Sequence, residues 1–223
     1  MHYRGVILDI DGTLVDSNEA HVRAWVQALA EHGFDVPPEK IRRLIGMGGD
    51  NLLPAAIGVE KDSERGKPIA ERHGELFKEQ LPTLKPFPKV RELLERMKAD
   101  GLELVVATSS EPDQMKALLD IAGVADLLED AASKGDAENS KPEPDIVQAA
   151  LDRLDLLAGE AVMLGDTPYD VEAAGKIGVG TIALRCGGFS DADLGRTAAI
   201  IAIYDEAADL LARYDTSPLV TPR

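Results

Sequence analysis

Asp9-Ile10-Asp11-Gly12-Thr13-Leu14-Val15-Asp16-Ser17 follows directly on the apolar run Gly5–Leu8. A short apolar run that ends abruptly in acidic residues reads as a strand buried on both faces, with its polar end open to a site. Alternate residues of a strand share a face, so the Asp9 and Asp11 carboxylates can address one point. Gly12 permits the tight turn that would follow. Taken alone, the two aspartates fit equally well a turn in which Asp side chains cap neighbouring N–H groups.

Similar apolar runs recur at 102–107, 161–164, 181–184 and 199–203. Between them lie residues at helical spacing: Val90, Leu93, Leu94 and Met97; Met115, Leu118 and Leu119; Ile146, Ala149, Ala150 and Leu154. Strands alternating with helices predict an α/β fold, a Rossmann-like parallel sheet with helices on both faces. Ligands of such sheets sit beyond the carboxyl ends of the strands. The polar residues expected there are Asp9 and Asp11, then Thr108, Ser109 and Ser110, then Asp166 and Thr167.

Residues 16–87 break this alternation, since they carry helical patterns and almost no strand signal. They read as an inserted α-helical cap, with 1–15 and 88–215 forming the core and 216–223 a frayed tail. Asp16 and Glu19 resemble a capping box, followed by Val22, Trp25, Val26 and Leu29 on one face and Gly33 as the stop. A short helix is expected over 39–45, a flexible loop over 46–49, and a helix over 50–57 that Pro54 limits to a turn or two. Pro68 is expected to disturb 62–80, and Pro86-Phe87-Pro88 to stiffen the return to the core.

Lys and Arg total 24 against 40 Asp and Glu, a formal charge of -16. Such a surface repels phosphate backbones, which argues against nucleic acid as a partner. An anionic small substrate would therefore need a local positive pocket built from a cation, Lys and backbone N–H groups. The single Cys186 cannot form an internal disulfide, the N-terminus lacks a leader pattern, and no apolar run approaches the ~18 residues of a membrane span. A cytoplasmic chain that is not membrane-bound is expected; its oligomeric state is not legible.

Two adjacent carboxylates repel one another and call for a hard cation that takes carboxylate oxygens, which Mg²⁺ fits. The run from Asp9 to Ser17, on a strand end, resembles the opening motif of the haloacid dehalogenase superfamily. Three further stretches are similar to that superfamily's remaining motifs, in the same order. Thr108 follows Val105-Val106-Ala107, with Ser109, Ser110 and a helix opened by Pro112 behind it. Lys141 stands in Ser140-Lys141-Pro142-Glu143-Pro144. Asp166 and Asp170 stand in Gly165-Asp166-Thr167-Pro168-Tyr169-Asp170.

The resemblance implies a Mg²⁺-dependent phosphatase that hydrolyses small phosphate monoesters. Asp9 would be the nucleophile and Asp11 the acid and base, provided the site raises the Asp11 pKa. Thr108, Ser109 and Lys141 would hold the phosphate. Asp9, Asp11 through its backbone carbonyl, and Asp166 would hold the metal, with Asp170 touching a metal-bound water or Lys141. Ser110 also suits a helix N-cap, and so does Asp166. The helical insert places the chain near the phosphoglycolate phosphatase and beta-phosphoglucomutase branch, where a cap closes over substrate.

His21 resembles a cap-helix histidine of beta-phosphoglucomutase, and a helix-packing surface His fits it equally. Gly46, Gly48 and Gly49 fall in the substrate-selecting loop. That mutase carries arginine where Gly49 stands, which counts against mutase activity, while Arg42, Arg43 and Lys78 remain as cap cations. A 2-haloacid dehalogenase would not need Asp11 or Mg²⁺. Phosphonatase would need a cap lysine that 49–53 lacks, and a binding module without turnover would have lost one of Asp9, Asp11, Lys141 or Asp166.

Overall fold

The computed structural model describes residues 3–128 and 130–220. β1 (Gly5–Leu8) is followed by four helices, α1 (Asn18–Glu31), α2 (Pro38–Arg42), α3 (Gly49–Ile57) and α4 (Gly66–Gln80). Then come α5 (Val90–Ala99), β2 (Glu103–Ala107), α6 (Pro112–Ala122), β3 (Asp130–Ala132), α7 (Asp145–Leu154) and β4 (Ala161–Gly165). The chain ends with α8 (Pro168–Lys176), β5 (Gly180–Leu184), α9 (Asp191–Leu194), β6 (Ile200–Tyr204) and α10 (Ala207–Ala212).

The strands form one parallel sheet in the order β3-β2-β1-β4-β5-β6. The five expected strands are present within a residue or so of their expected bounds. β3 was not expected, because its three residues carry no apolar run. The strand order reverses beside β1, which is where a doubly wound sheet opens its ligand crevice. Leu8 pairs with Val106 on one side and with Leu164 on the other. The residues that follow the last one of each strand, Asp9, Thr108 and Asp166, therefore leave the sheet at the same end.

Both sheet faces are covered. Val6 and Leu8 point into a cluster with Leu93, Leu94, Met97 and Leu118, while Ile7 points into another with Ile146, Val147, Ala150 and Ala173. The whole of β1 is buried, as its unbroken apolar run requires. Among the described residues no helix is long and apolar enough to cross a membrane.

Residues 16–87 form no strand of the sheet, and their two connections to it are cross-bonded. Asp16 N–H donates to Lys85 O at 3.0 Å and Phe87 N–H to Leu14 O at 3.0 Å. Several local expectations are corrected. α1 has no Asp16 capping box: Ser17 is its N-cap residue and makes no side-chain cap bond, its hydroxyl going to Asp11 instead. α3 runs for nine residues through Pro54. Proline there forfeits one backbone bond, while Leu52, Leu53 and Ala56 bury the helix face. α4 begins at Gly66, so Pro68 lies in its first turn, where a missing N–H costs little. The expected tail does not fray at 216: Ser217 and Leu219 are buried, Leu219 against the main core. Residues 221–223 lie outside the described residues.

Leu8 is fully buried in the central strand. Leu8→Ala should destabilise the protein by about 2–5 kcal/mol, measured by denaturant unfolding.

Candidate active site

Four chain segments converge at the carboxyl end of β1. Lys141, 1% exposed, donates through Nζ to Asp9 Oδ1 at 2.5 Å and to Asp170 Oδ1 at 2.7 Å, with Ala107 O at 3.4 Å. Burial alone would strip its proton, but the Asp170 and Asp9 charges and hydrogen bonds raise the Lys141 pKa, so the ammonium keeps its charge. Asp166 lies on the other side, accepting from Thr13 Oγ1 at 2.8 Å and Asn18 Nδ2 at 2.9 Å.

Asp166 does not cap α8. That role falls to Thr167, whose side chain accepts from Asp170 N–H in a reciprocal capping box. Asp166 is thereby left to the site, wedged between two bare backbones. A Cβ on Gly12, whose φ is +77°, would lie 2.1 Å from Asp166 Oδ2, and one on Gly187 would lie 1.8 Å from it. The Gly12 requirement is thus a close approach as much as a turn. Gly187 was not foreseen, since nothing near it in sequence is chemically suggestive.

Asp9, Asp166 and Asp170 each offer an oxygen, all within 4.8 Å of one another. Burial, then the Asp9 and Asp170 charges, push the Asp166 pKa well above the usual carboxylate value. Burial likewise pushes Asp9 up to about 7, with Lys141 opposing and Asp170 and Asp11 adding. Three buried carboxylates against one ammonium leave negative charge that a cation would offset, and an all-oxygen donor set suits a hard divalent ion. The residues fit such an ion.

The Asp11 carboxylate stands outside that cluster. Its Oδ1 accepts from Ser17 Oγ at 2.5 Å and from His21 Nε2 at 3.1 Å, and its Oδ2 accepts from Ser110 Oγ at 2.9 Å. Burial would raise its pKa, but the neighbouring His21 and the three hydrogen bonds outweigh it and hold Asp11 below its ordinary value. The proviso of a raised Asp11 pKa is not met by these neighbours. Ser110 is occupied here rather than as a cap, since Glu111 precedes α6 without a side-chain cap bond.

A cavity of about 150 Å³ covers these groups. Thr108 and Ser109 line it, and Ser109 Oγ is buried without a hydrogen-bond partner among the described residues, an orphan polar atom beside the cavity. Gly46, Gly48 and Gly49 line its roof with Trp25, His21, His73 and Lys61. Arg42, Arg43 and Lys78 do not line the cavity: Arg42 pairs with Glu19, Lys78 is exposed, and the Arg43 carbonyl accepts from Tyr169 Oη. His73 and Lys61 were missed from sequence. His73 Nε2 lies 3.2 Å from His21 Nδ1, its ring stacks on Trp25 at 3.9 Å, and burial holds its pKa well below the usual value. A histidine at α4 spacing gives no signal until α1 is laid against it.

The chain belongs to the haloacid dehalogenase-like hydrolase family, whose model matches residues 6–184. A phosphoglycolate phosphatase of Rhodospirillum rubrum is 30% identical over 216 residues, covering 93% of this chain and 89% of its own. A second, from Yersinia pseudotuberculosis, is 32% identical over 192 residues, covering 82% of each. Among solved structures, a hydrolase from Pseudomonas syringae superposes with a TM-score of 0.88 at 27% identity, over 95% of this chain and 98% of that one.

A carboxyl whose folded pKa exceeds the unfolded value of ~3.9 holds a proton that the unfolded chain has released, so its contribution to stability is lost as pH rises. Asp9 sits at about 7 without a cation. In chelator, Asp9→Asn should therefore gain stability over wild type as pH rises from about 4 to about 7, then hold that gain. Denaturant unfolding at pH values on either side of this window checks the sign.

Proposed function

We propose that the protein is a Mg²⁺-dependent phosphatase that hydrolyses small phosphate monoesters through a phosphoryl group carried on Asp9. The observation that carries this reading is the Lys141 ammonium held between Asp9 and Asp170, with Asp166, Thr108 and the unpartnered Ser109 hydroxyl around the same point. With a divalent ion bound beside Lys141, that arrangement would supply the local positive charge that a chain of net charge -16 needs in order to take an anionic substrate. Asp9, Asp166 and the Asp11 backbone carbonyl would hold the ion, and Asp170 would steady Lys141. Bound there, the ion would neutralise phosphate charge and screen the carboxylates from one another.

Asp9, its repulsion from neighbouring carboxylates relieved, attacks phosphorus. Thr108, Ser109 and Lys141 donate to the phosphoryl oxygens, where charge grows in the transition state. Asp11 delivers a proton to the leaving oxygen and then takes one from the water that cleaves the acyl phosphate. Its resting state is the ionised one, suited to the second step. His21 Nε2, 3.1 Å away, is placed to supply the proton for the first. The helices of 16–87 act as the cap that excludes water, while 1–15 and 88–215 carry the chemistry. The cavity of about 150 Å³ is below the ~300–1,000 Å³ of drug-sized sites, which favours a short leaving group. Gly49 places no cation over a second phosphate, so turnover should end in hydrolysis rather than transfer.

The test is release of p-nitrophenol from its phosphate with Mg²⁺ and then with excess chelator. Metal-dependent release supports the reading, and its complete absence would sink it. Asp9→Asn should lower kcat by roughly 10⁴-fold or more with an unchanged thermal midpoint in Mg²⁺. Asp166→Ala should weaken Mg²⁺ half-saturation by more than about 10-fold, read from a metal titration of the rate or of intrinsic fluorescence.

A further inference from the structure

The loop that brings Lys141 into the site is bonded to the helical insert by two residues at the start of α3. Asn51 Nδ2 donates to Ser140 O at 3.0 Å and to Lys141 O at 3.2 Å, and Asp50 Oδ2 accepts from Ser140 N–H at 3.1 Å. Ser140 N–H thus ends on α3, and Ser140 O is shared between Asn51 and Glu143 N–H, the latter at 3.0 Å within its own loop. The fit is close: a Cβ on Gly48 would lie 2.1 Å from Ser140 Oγ and 2.3 Å from Ser140 Cβ. Gly46 meets the other motif loop in the same way, with Thr167 Oγ1 2.7 Å from its absent Cβ. None of these contacts touches the cavity's reacting groups directly.

We propose that Asn51 is a positioning residue for Lys141, with Asp50 and the bare backbone of Gly48 as its supports. Seating the cap fixes the carbonyls on either side of the Ser140–Lys141 bond, and so fixes the root of the side chain whose ammonium faces Asp9. An ammonium at the end of a flexible four-carbon stem is aimed only as well as its backbone is held. The cap therefore completes the phosphate site as well as covering it. This rests on the phosphatase reading for its kinetic consequence, but the contact itself does not.

The experiment compares wild type with Asn51→Ala, Asn51→Asp, Gly48→Ala and the pair Gly48→Ala/Ser140→Gly. Asn51→Asp keeps the shape but, ionised, cannot donate to two carbonyls. Each single variant should lose about 10- to 100-fold in kcat for p-nitrophenyl phosphate, with KM within about threefold; the thermal midpoint should stay unchanged in the Asn51 variants and fall in Gly48→Ala, whose Cβ would displace Ser140 and Asp50. In each, the Ser140 amide should exchange hydrogen faster than in wild type. Removing the Ser140 side chain should restore most of what Gly48→Ala loses, which a general packing defect would not do. If both Asn51 variants keep wild-type exchange at Ser140, the proposal is overturned whatever their rates. It is equally overturned if exchange rises while kcat stays at the wild-type value. If wild type hydrolyses no ester at all, the phosphatase reading fails, and the exchange comparison alone decides whether Asn51 holds this loop.

Discussion

A buried ammonium beside buried carboxylates is the constraint on which the other features of this site depend. Lys141 is costly to bury by itself, and so are Asp9, Asp166 and Asp170; Lys141 offsets Asp9 and Asp170 and they offset it, while Asp166 rests on hydrogen bonds from Thr13 and Asn18. Their mutual placement comes from three separate devices. The parallel register aligns the ends of β1, β2 and β4, the Thr167 capping box fixes Asp170 at the start of α8, and the Ser140–Lys141 loop supplies the charge. Burial first, and then three carboxylates against one ammonium, push Asp9 and Asp166 upward in a fold without a cation. The imbalance that makes the cation-free site unfavourable is what would make it selective for a divalent ion.

Asp9 and Asp11 are separated by one residue and have opposite surroundings. Asp9 faces the core loops and is raised; Asp11 faces Ser17, His21 and Ser110 and is lowered. A cation bound at Asp9 would act against the rise there and bring the two carboxyls closer together in proton affinity. The partners of Asp11 come from α1, its N-cap residue and the turn before α6, so its environment is assembled from both the helical insert and the sheet.

The residues legible in the sequence were those whose signal is local. Buried strands appear as apolar runs, and Asp9, Thr108 and Asp166 stand where those runs stop. Lys141 was legible only from its prolines and its place in the series, since an isolated lysine says nothing about burial. The Asp16 capping box was misread, and Ser110 and Asp166 stayed open between a cap and the site, because all three satisfy the local pattern of an N-cap residue. Only Asp170 N–H bonding to Thr167 settles that Thr167 closes α8. His73, Lys61, Asp50 and Asn51 were invisible for a different reason. Each acts across a contact between segments distant in sequence, 89 residues apart for Asn51 and Ser140, and no periodicity encodes that distance. β3 lacked an apolar run, and Pro54 and Pro68 were given their average effect when position within the helix decides it.

The roof of the cavity is made largely of backbone. Gly46 and Gly48 lie against Thr167 and Ser140 so closely that neither could carry a side chain without displacement, and Gly49 lies over Trp25. Ile45 and Met47 apart, that stretch supplies shape and N–H groups but little discrimination, so selectivity must come from the side chains beside it, above all Trp25, His73 and Lys61. Those three belong to α1, α4 and the segment between α3 and α4, and the stacked rings of Trp25 and His73 tie α1 to α4 as one surface. The same α1 carries His21 to Asp11. A movement of α1 away from the sheet would therefore change the shape of the leaving-group pocket and remove a hydrogen bond from Asp11 in a single step, because one rigid helix bears both contacts.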